Sequence, residues 1–278
     1  MRSDPSSTAD ARTGCRLARI TSAIGPASAA NDDRCADPAR DLGSAIAEEE
    51  LSVFLQPIVD LVDGTTAGYE VLLRWFHPVA GQIDPESIMQ LAMRTGLTDT
   101  LTFSIMARAI RAAAGWRNQA FLAVNVTASQ LTSPGFTDGV LRILDEGSFA
   151  PERLVLEVTE HEPITADACD HMARLRAAGM AVALDDFGQA HANLSALESC
   201  RFDKLKLDRA FASNAAGRTA TIQQTAAQLA VRLGMSVVAE GLETMEQVQM
   251  ARAAGCTHGQ GYWFGQPMPA SLLLERPS

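Results

Sequence analysis

Polar side chains recur near one end of one apolar run after another in this sequence. Glu70 follows AGY, Asn125 stands in AFLAVNV, and Glu157 and Glu160 lie in RLVLEVTE. Asp185 and Asp186 lie in MAVALDDF, Lys206 and Asp208 in DKLKLD, Glu240 and Glu243 in VVAEGLE, and Gln260 in GQGYWF. One acid at the end of an apolar run is ordinarily a helix cap or a surface charge. The same habit in run after run points instead to carboxylates gathered at one place. Like charges crowded in a poorly solvated site repel each other unless cations or hydrogen bonds compensate them. The candidate ligands are oxygen donors, with no His or Cys among them, and that chemistry selects Mg²⁺ or Mn²⁺ over zinc or copper. The adjacent Asp185 and Asp186 suit a two-cation site, where one aspartate bridges both ions and its neighbour holds the second. Two divalent ions would balance the acids and activate a water for attack on phosphorus.

Lys206 has a separate logic. In DKLKLD, Lys204 and Lys206 share one face of a strand,. A lysine pointing into a barrel is costly unless acids surround it. It is either a buried salt bridge to Asp186 or Asp208, or a lysine that orients or deprotonates an attacking water. The two readings are compatible, and the convergence of acids and an amide with it favours the second. His77, His161, His171, His191 and His258 show no ligand spacing, so a histidine general base is not expected.

These residues need elements that bring them together. From Ala45 onward, IAEEE reads as a short helix. Short apolar runs then alternate with longer amphipathic ones: SVFLQPIVDL, AGYEVLLRW, AFLAVNV, RLVLEVTE, MAVALDDF, DKLKLD, MSVVAEGL and GQGYWF. Between the later runs lie DACDHMARLRAAG, TIQQTAAQLAVRLG and TMEQVQMARAAG, each ending at a glycine that suits a helix C-cap,. Strands alternating with helices imply parallel pairing and right-handed crossovers. Eight candidate strands match a closed α/β barrel of the TIM, (β/α)8, type in count and length,. In such a barrel the C-terminal strand ends converge on one mouth, so these distant polar residues become neighbours. A doubly wound open sheet is the runner-up, but no glycine-rich phosphate loop follows the first strand.

Composition bounds the rest. A chain of 278 residues can bury a sizeable core,. Its net charge of −10 argues against binding a nucleic-acid polymer, while leaving room for a small phosphorylated ligand,. Cys15, Cys35, Cys169, Cys200 and Cys256 are odd in number, far apart and never in a CxxC, and are expected to be reduced bystanders,. No apolar run is long enough for a membrane span, so a soluble, cytoplasmic protein is expected. Residues 1–42 are rich in Ser, Ala, Asp, Arg and Pro and read as a disordered extension, with a short docking helix in ARTGCRLARITSAIG as the alternative,. Residues 43–278 are expected to form the barrel domain.

The series QPIVDL…GYEVLLRW…VNVTASQL…LEVTE…LDDFG…KLKLD…VVAEGLET…GQGYWFGQPMP resembles, in order and spacing, the EAL domain of bacterial cyclic di-GMP phosphodiesterases, from about Ala45 to Leu273. The resemblance implies a TIM-like barrel with an irregular first strand. It also implies hydrolysis of cyclic di-GMP to linear pGpG with two Mg²⁺ or Mn²⁺ ions, in second-messenger signalling that governs biofilm and motility. By that resemblance Glu70, Asn125, Glu157 and Asp185 surround the first ion, and Asp185, Asp186 and Glu240 the second. Lys206 matches the lysine that positions or deprotonates the water, Gln260 lines the site, and Glu160 steadies the loop after the paired aspartates. Gln56, Arg74, Asp208 and Glu243 fall where the family contacts the dinucleotide, and Arg74 has the planar fork of donors that suits a phosphate. A homodimer is expected, with the N-terminal extension as the place for a regulatory partner.

The chain departs from the family pattern in three places, of which one, the helix near Ile88 (SIMQLAM) without the usual Pro and Glu, reads as drift. The signature triplet reads Glu70-Val71-Leu72, which adds bulk without removing a ligand. The loop usually written DDFGTGYSSL reads DDFGQAHANL, with Gln189 for a Thr and Ala190 for a Gly whose backbone angles Ala adopts only at a cost,. The competing readings are a cyclic di-GMP receptor or protein-interaction module without turnover, and an enolase-type enzyme with Lys206 as base. The second normally needs a capping domain that the short polar extension does not supply. No metal ligand of the family pattern is missing, which favours catalysis.

Overall fold

Alternate residues of the apolar runs face opposite ways, and that division builds the molecule. The structure, a computed structural model, describes residues 38–116, 118–159, 162–187, 194–209 and 218–273. Ten strands are present among these: β1 (Leu51–Asp60), β2 (Thr66–His77), β3 (Gly81–Ile83), β4 (Phe121–Val126), β5 (Leu154–Thr159), β6 (Ala181–Phe187), β7 (Lys204–Leu207), β8 (Ser236–Ala239), β9 (His258–Gln260) and β10 (Met268–Pro269). They run β10-β1-β9-β8-β7-β6-β5-β4-β2-β3, and a β1–β2 pairing closes an eight-stranded α/β barrel with β3 and β10 on its margins. The expected TIM-like barrel is therefore present. Its parallel arc runs from β2 through β4 to β9. β1 is antiparallel to both β2 and β9, so parallel pairing does not extend to every strand and the first strand is the irregular one.

Inside the barrel, Ile58, Ala123, Val155, Ala183 and Val238 form one buried layer, with Phe121 and Ala181 packed against it. The residues between them, such as Leu122, Val124, Leu156, Val182, Leu184, Leu205 and Val237, face outward into the larger core beneath the helices. Alanines alternate with Ile and Val in the narrow barrel, so that small and branched side chains fill it together,.

The helices covering that layer are α1 (Pro38–Ala47), α2 (Pro85–Thr95), α3 (Thr98–Ala113), α4 (Ala128–Leu131), α5 (Phe136–Glu146), α6 (Ala166–Ala177), α7 (Leu194–Ser199), α8 (Arg218–Arg232), α9 (Met245–Ala254) and α10 (Ala270–Leu273). Local chemistry sets their ends. Thr244 and Gln247 form a capping box at the start of α9, and Gly255 takes a left-handed φ of 95° at its end,. α1 begins at Pro38, ahead of Ala45 where the sequence placed the first helix, and it completely buries Leu42. The predicted last strand is shorter than GQGYWF. It stops at Gln260 because Gly261 turns with φ 154° and its α-carbon lies against the backbone of Leu242. No helix of the described residues is long and apolar enough to cross a membrane.

The cysteine expectation needs correction. Cys169 on α6 and Cys200 at the end of α7 are joined in a disulfide, with Cα atoms 5.2 Å apart. A separation of 31 positions carries no pairing signal, and only the packing of two helices beside β6 brings the sulfurs together. Cys256 is free and buried, as expected.

Candidate active site

The parallel strands all present their C-terminal ends at one mouth, and the inward residue there is polar on each of them. Asn125 and Glu157 are register partners on β4 and β5. Glu70 stands on β2 opposite Gln56 of β1, and Gln260 of β9 lies opposite Ile58. One repeat above the apolar layer, the barrel interior thus changes from Ala and Val to carboxylates and amides.

Lys206 is at the centre. Its Nζ lies 2.7 Å from Glu240 Oε1, 2.9 Å from Glu157 Oε2, 3.0 Å from Asp185 Oδ1 and 4.0 Å from Glu70 Oε1, with only 1 % of the side chain exposed. The buried salt bridge is real, but its acids are these four and not the Asp186 or Asp208 that adjacency suggested. Burial by itself would lower the Lys206 ammonium. The surrounding Asp185, Glu157, Glu240 and Glu70 outweigh it and hold the ammonium well above its ordinary value,. Burial pushes the Glu157 carboxyl well up, with Glu70 and Asp185 adding and Lys206 opposing. Burial likewise pushes Glu240 up to about 8, against Lys206 and with Asp185 and Glu70.

Amides tie the acids down. Asn125 Nδ2 donates to Glu70 Oε1 at 3.0 Å, and Gln260 Nε2 donates to Glu70 Oε2 and, at 3.1 Å, to Gln56 Oε1. Gln56 in turn donates to the Gly265 carbonyl at 3.3 Å. Both oxygens of Glu70 are therefore held by strands on either side of it.

The paired aspartates depend on a break in the ladder. Neighbouring strand residues face opposite sides, so Asp185 inward would leave Asp186 outward. The β6–β7 register shifts between Leu184 and Phe187, and Asp186 adopts φ 58°, a left-handed conformation uncommon for a residue with a Cβ,. Asp185 Oδ1 accepts the Asp186 N–H at 2.9 Å. This bulge turns the second acid back, so that Asp185, Asp186 and Glu240 place ligand oxygens within 4.8 Å of one another.

The donor set fits a divalent cation. Four carboxylates face one ammonium, with Asp186 beside them, and Gln260 Oε1 is buried without a hydrogen-bond partner. All donors are oxygens, the ligand chemistry of Mg²⁺ and Mn²⁺.

The remaining expected residues are placed less centrally. Asp208 is buried just past β7. Glu243 is exposed ahead of α9, where its N–H donates to Gln247. The Arg74 guanidinium lies 5.7 Å from the centre of the Phe54 ring and donates to the Leu73 carbonyl at 2.7 Å. Glu160 and the variant loop 188–193 lie outside the described residues. Lys204 points inward as expected, below the site, over the Phe121 ring at 4.7 Å.

Comparison with known proteins agrees with this geometry. Residues 39–267 match the family model described as EAL domain. The chain is 36% identical over 257 residues to the probable cyclic di-GMP phosphodiesterase PdeG of Escherichia coli K12, covering 88% of this chain and 51% of that protein. It superposes on the PaMucR phosphodiesterase in complex with c-di-GMP with a TM-score of 0.77 at 33% identity, covering 84% of this chain and 98% of that one. It superposes on the manganese and cy-diGMP complex of Klebsiella pneumoniae BlrP1 with a TM-score of 0.71 at 27% identity, covering 80% of this chain and 57% of that one. The chain spans 30–51% of the length of the first curated relatives it matches.

Proposed function

Because this chain belongs to the EAL domain family, we propose that its barrel mouth hydrolyses one phosphodiester bond of cyclic di-GMP to give linear pGpG. The observation that carries the reading is the cluster of four carboxylates around Lys206, with Asp186 turned back to join it. Glu70, Asn125, Glu157 and Asp185 would hold one Mg²⁺ or Mn²⁺, and Asp185, Asp186 and Glu240 a second. Ions bound there polarise a phosphoryl oxygen and make a bound water acidic near neutral pH.

The chain's own groups do the rest. Asn125, Gln260 and Gln56 hold Glu70 in one orientation, which spares reorganisation when ligands bind. Lys206, strongly held as an ammonium, serves as a fixed counter-charge that orients the carboxylates and the attacking water. It does not start as a vacant base, since its proton is stabilised by three close acids,. Arg74 sits two residues beyond Leu72 on the face of Glu70, placed to meet a phosphate through its fork of donors. Asp208, Glu243 and Gln260 line the path of the dinucleotide, and Glu160 steadies the segment after the aspartates.

The test is to incubate purified protein with cyclic di-GMP and Mg²⁺ or Mn²⁺ and to separate the nucleotides by chromatography. Conversion to pGpG supports the reading. Tight binding of cyclic di-GMP with no product would make the protein a receptor. A homodimer and a partner for the N-terminal extension are further proposals, checked by light scattering of the full chain and of a chain starting at residue 36.

A further inference from the structure

The Cys169–Cys200 disulfide closes a span that contains all of β6, and with it Asp185 and Asp186. The same two segments meet a second time. Arg176, about two turns further along α6, grips Asp203 with a fork of hydrogen bonds at 2.7 and 2.8 Å. Asp203 also accepts the Val182 N–H at 2.9 Å, at the foot of β6. Between these fastenings and the aspartate bulge stands α7, whose 6 residues are too few to hold a helix unaided,. The covalent link therefore adds a restraint on that side of β6 to the burial of Ala196 and Phe202 in the core.

The pair is also chemically distinguished from the remaining described cysteine. Cys169 is half-buried, whereas Cys200 is only 5 % exposed, which makes Cys169 the first of the two for a small thiol to meet. Cys256 is buried, and burial pushes its thiol up to about 12, which removes it from exchange chemistry near neutral pH,.

We propose that Cys169 and Cys200 are a thiol–disulfide switch, working by exchange with small thiols and disulfides of the glutathione class, that sets how firmly the β6–α7 span is held. Its formation stands on the placement of the two cysteines. Only its bearing on cation affinity rests on the reading of Asp185 and Asp186 as ligands. In the oxidising direction, the Cys169 thiolate attacks one sulfur of the small disulfide and releases one small thiolate. The Cys200 thiolate then attacks the Cys169 sulfur of the mixed disulfide and releases the second. Two electrons pass from the protein pair to the small disulfide, and the two protons lost by the cysteines end on the released thiols. Once closed, the link shortens the free span around β6 and makes opening of α7 rarer.

The experiment uses the full chain without nucleotide, equilibrated across reduced-to-oxidised glutathione ratios. Alkylation and intact mass read the pair, deuterium exchange reads α7, and calorimetry reads Mn²⁺ binding. The pair is expected to titrate as one two-electron transition. Reduction is expected to speed exchange of the α7 amides roughly 10- to 100-fold while β4 and β5 stay unchanged, and to weaken Mn²⁺ binding several-fold. Cys169→Ser and Cys200→Ser should each reproduce the reduced behaviour under both conditions. The switch is overturned if both cysteines alkylate as free thiols in oxidised glutathione, or if α7 exchange is the same in both states. Equal Mn²⁺ binding in both states would overturn its bearing on cation affinity. Redox-dependent α7 exchange in a protein that binds Mn²⁺ in neither state would refute the ligand assignment and leave the switch standing.

Discussion

Replacing Lys206 by Met tests the electrostatic account of the site without touching a proposed ligand. Met keeps the length and apolar stem of the side chain and removes its charge. The ammonium is within 3.0 Å of Glu240, Glu157 and Asp185 and 4.0 Å from Glu70. Breaking a buried ion pair by removing one partner typically costs about 3–5 kcal/mol, because an uncompensated charge stays buried. For a domain of this size each kcal/mol moves Tm by about 2–4 °C, so a fall of roughly 6–20 °C is expected in EDTA.

Proton uptake returns part of this cost, which gives the effect a pH signature. The folded Glu240 carboxyl sits at about 8 against an ordinary 4.5. A raised folded value means that the folded chain binds the proton more tightly. That contribution is whole below about 4.5 and is lost as pH rises through about 8. Glu157 is shifted in the same direction. The metal-free wild type should therefore lose stability between about pH 5 and 8. Without the Lys206 charge the Glu240 carboxyl holds its proton to still higher pH, so the Lys206→Met deficit should stay level over that window and widen as pH rises through about 8,. Mn²⁺ should offset part of it, since a ligand at 100 times its Kd adds about 2.7 kcal/mol. Thermal unfolding across pH, with EDTA and with Mn²⁺, measures all of this. A variant with wild-type Tm in EDTA at pH 8, or a deficit that neither pH nor Mn²⁺ alters, would refute the idea that Lys206 balances the carboxylates.

Glu70→Ala should abolish pGpG formation with Mn²⁺ in excess, because its two oxygens are held toward the site by Asn125 and Gln260; hydrolysis near the wild-type rate removes Glu70 from the ligand set. Asp186→Asn keeps a side chain that tolerates the left-handed backbone at φ 58°,. It should fold normally while binding Mn²⁺ at least roughly 10-fold more weakly, and an unchanged calorimetric Kd would show that the turned-back acid is not a ligand. Gly261→Ala should destabilise the chain by more than about 2 kcal/mol, since the added Cβ meets the Leu242 backbone at φ 154°,; an unchanged urea midpoint would mean that the turn relaxes freely.

Much of the site was legible because strand chemistry is local. Asn125, Glu157 and Asp185 each stand at or near the end of a run of apolar residues, and ending a parallel strand is enough to place a residue at the shared mouth,. The alternation Lys204, Lys206 and Ala181, Ala183, Asp185 reads directly as one inward face,. The partners of Lys206 were not legible. Asp186 and Asp208 are its near neighbours in the motifs, yet Glu240 and Glu157 come from strands whose order around the barrel no local pattern encodes. The direction of β1 was hidden for a similar reason. An apolar run reads the same in either direction, and only its pairing with β2 and β9 shows it to be antiparallel.

The sequence by itself therefore determined the barrel and the gathering of oxygen-bearing side chains on its strands, because these follow from periodicity and residue type,. Tertiary structure alone decided three things. It turned Asp186 back beside Asp185 by a register shift that strand alternation forbids. It surrounded one ammonium with four carboxylates and so fixed which protons are held. It brought Cys169 to Cys200 across 31 positions. Each of these is a distance between residues far apart in the chain or a break in its regular geometry, and such quantities exist only once the strands have closed on one another.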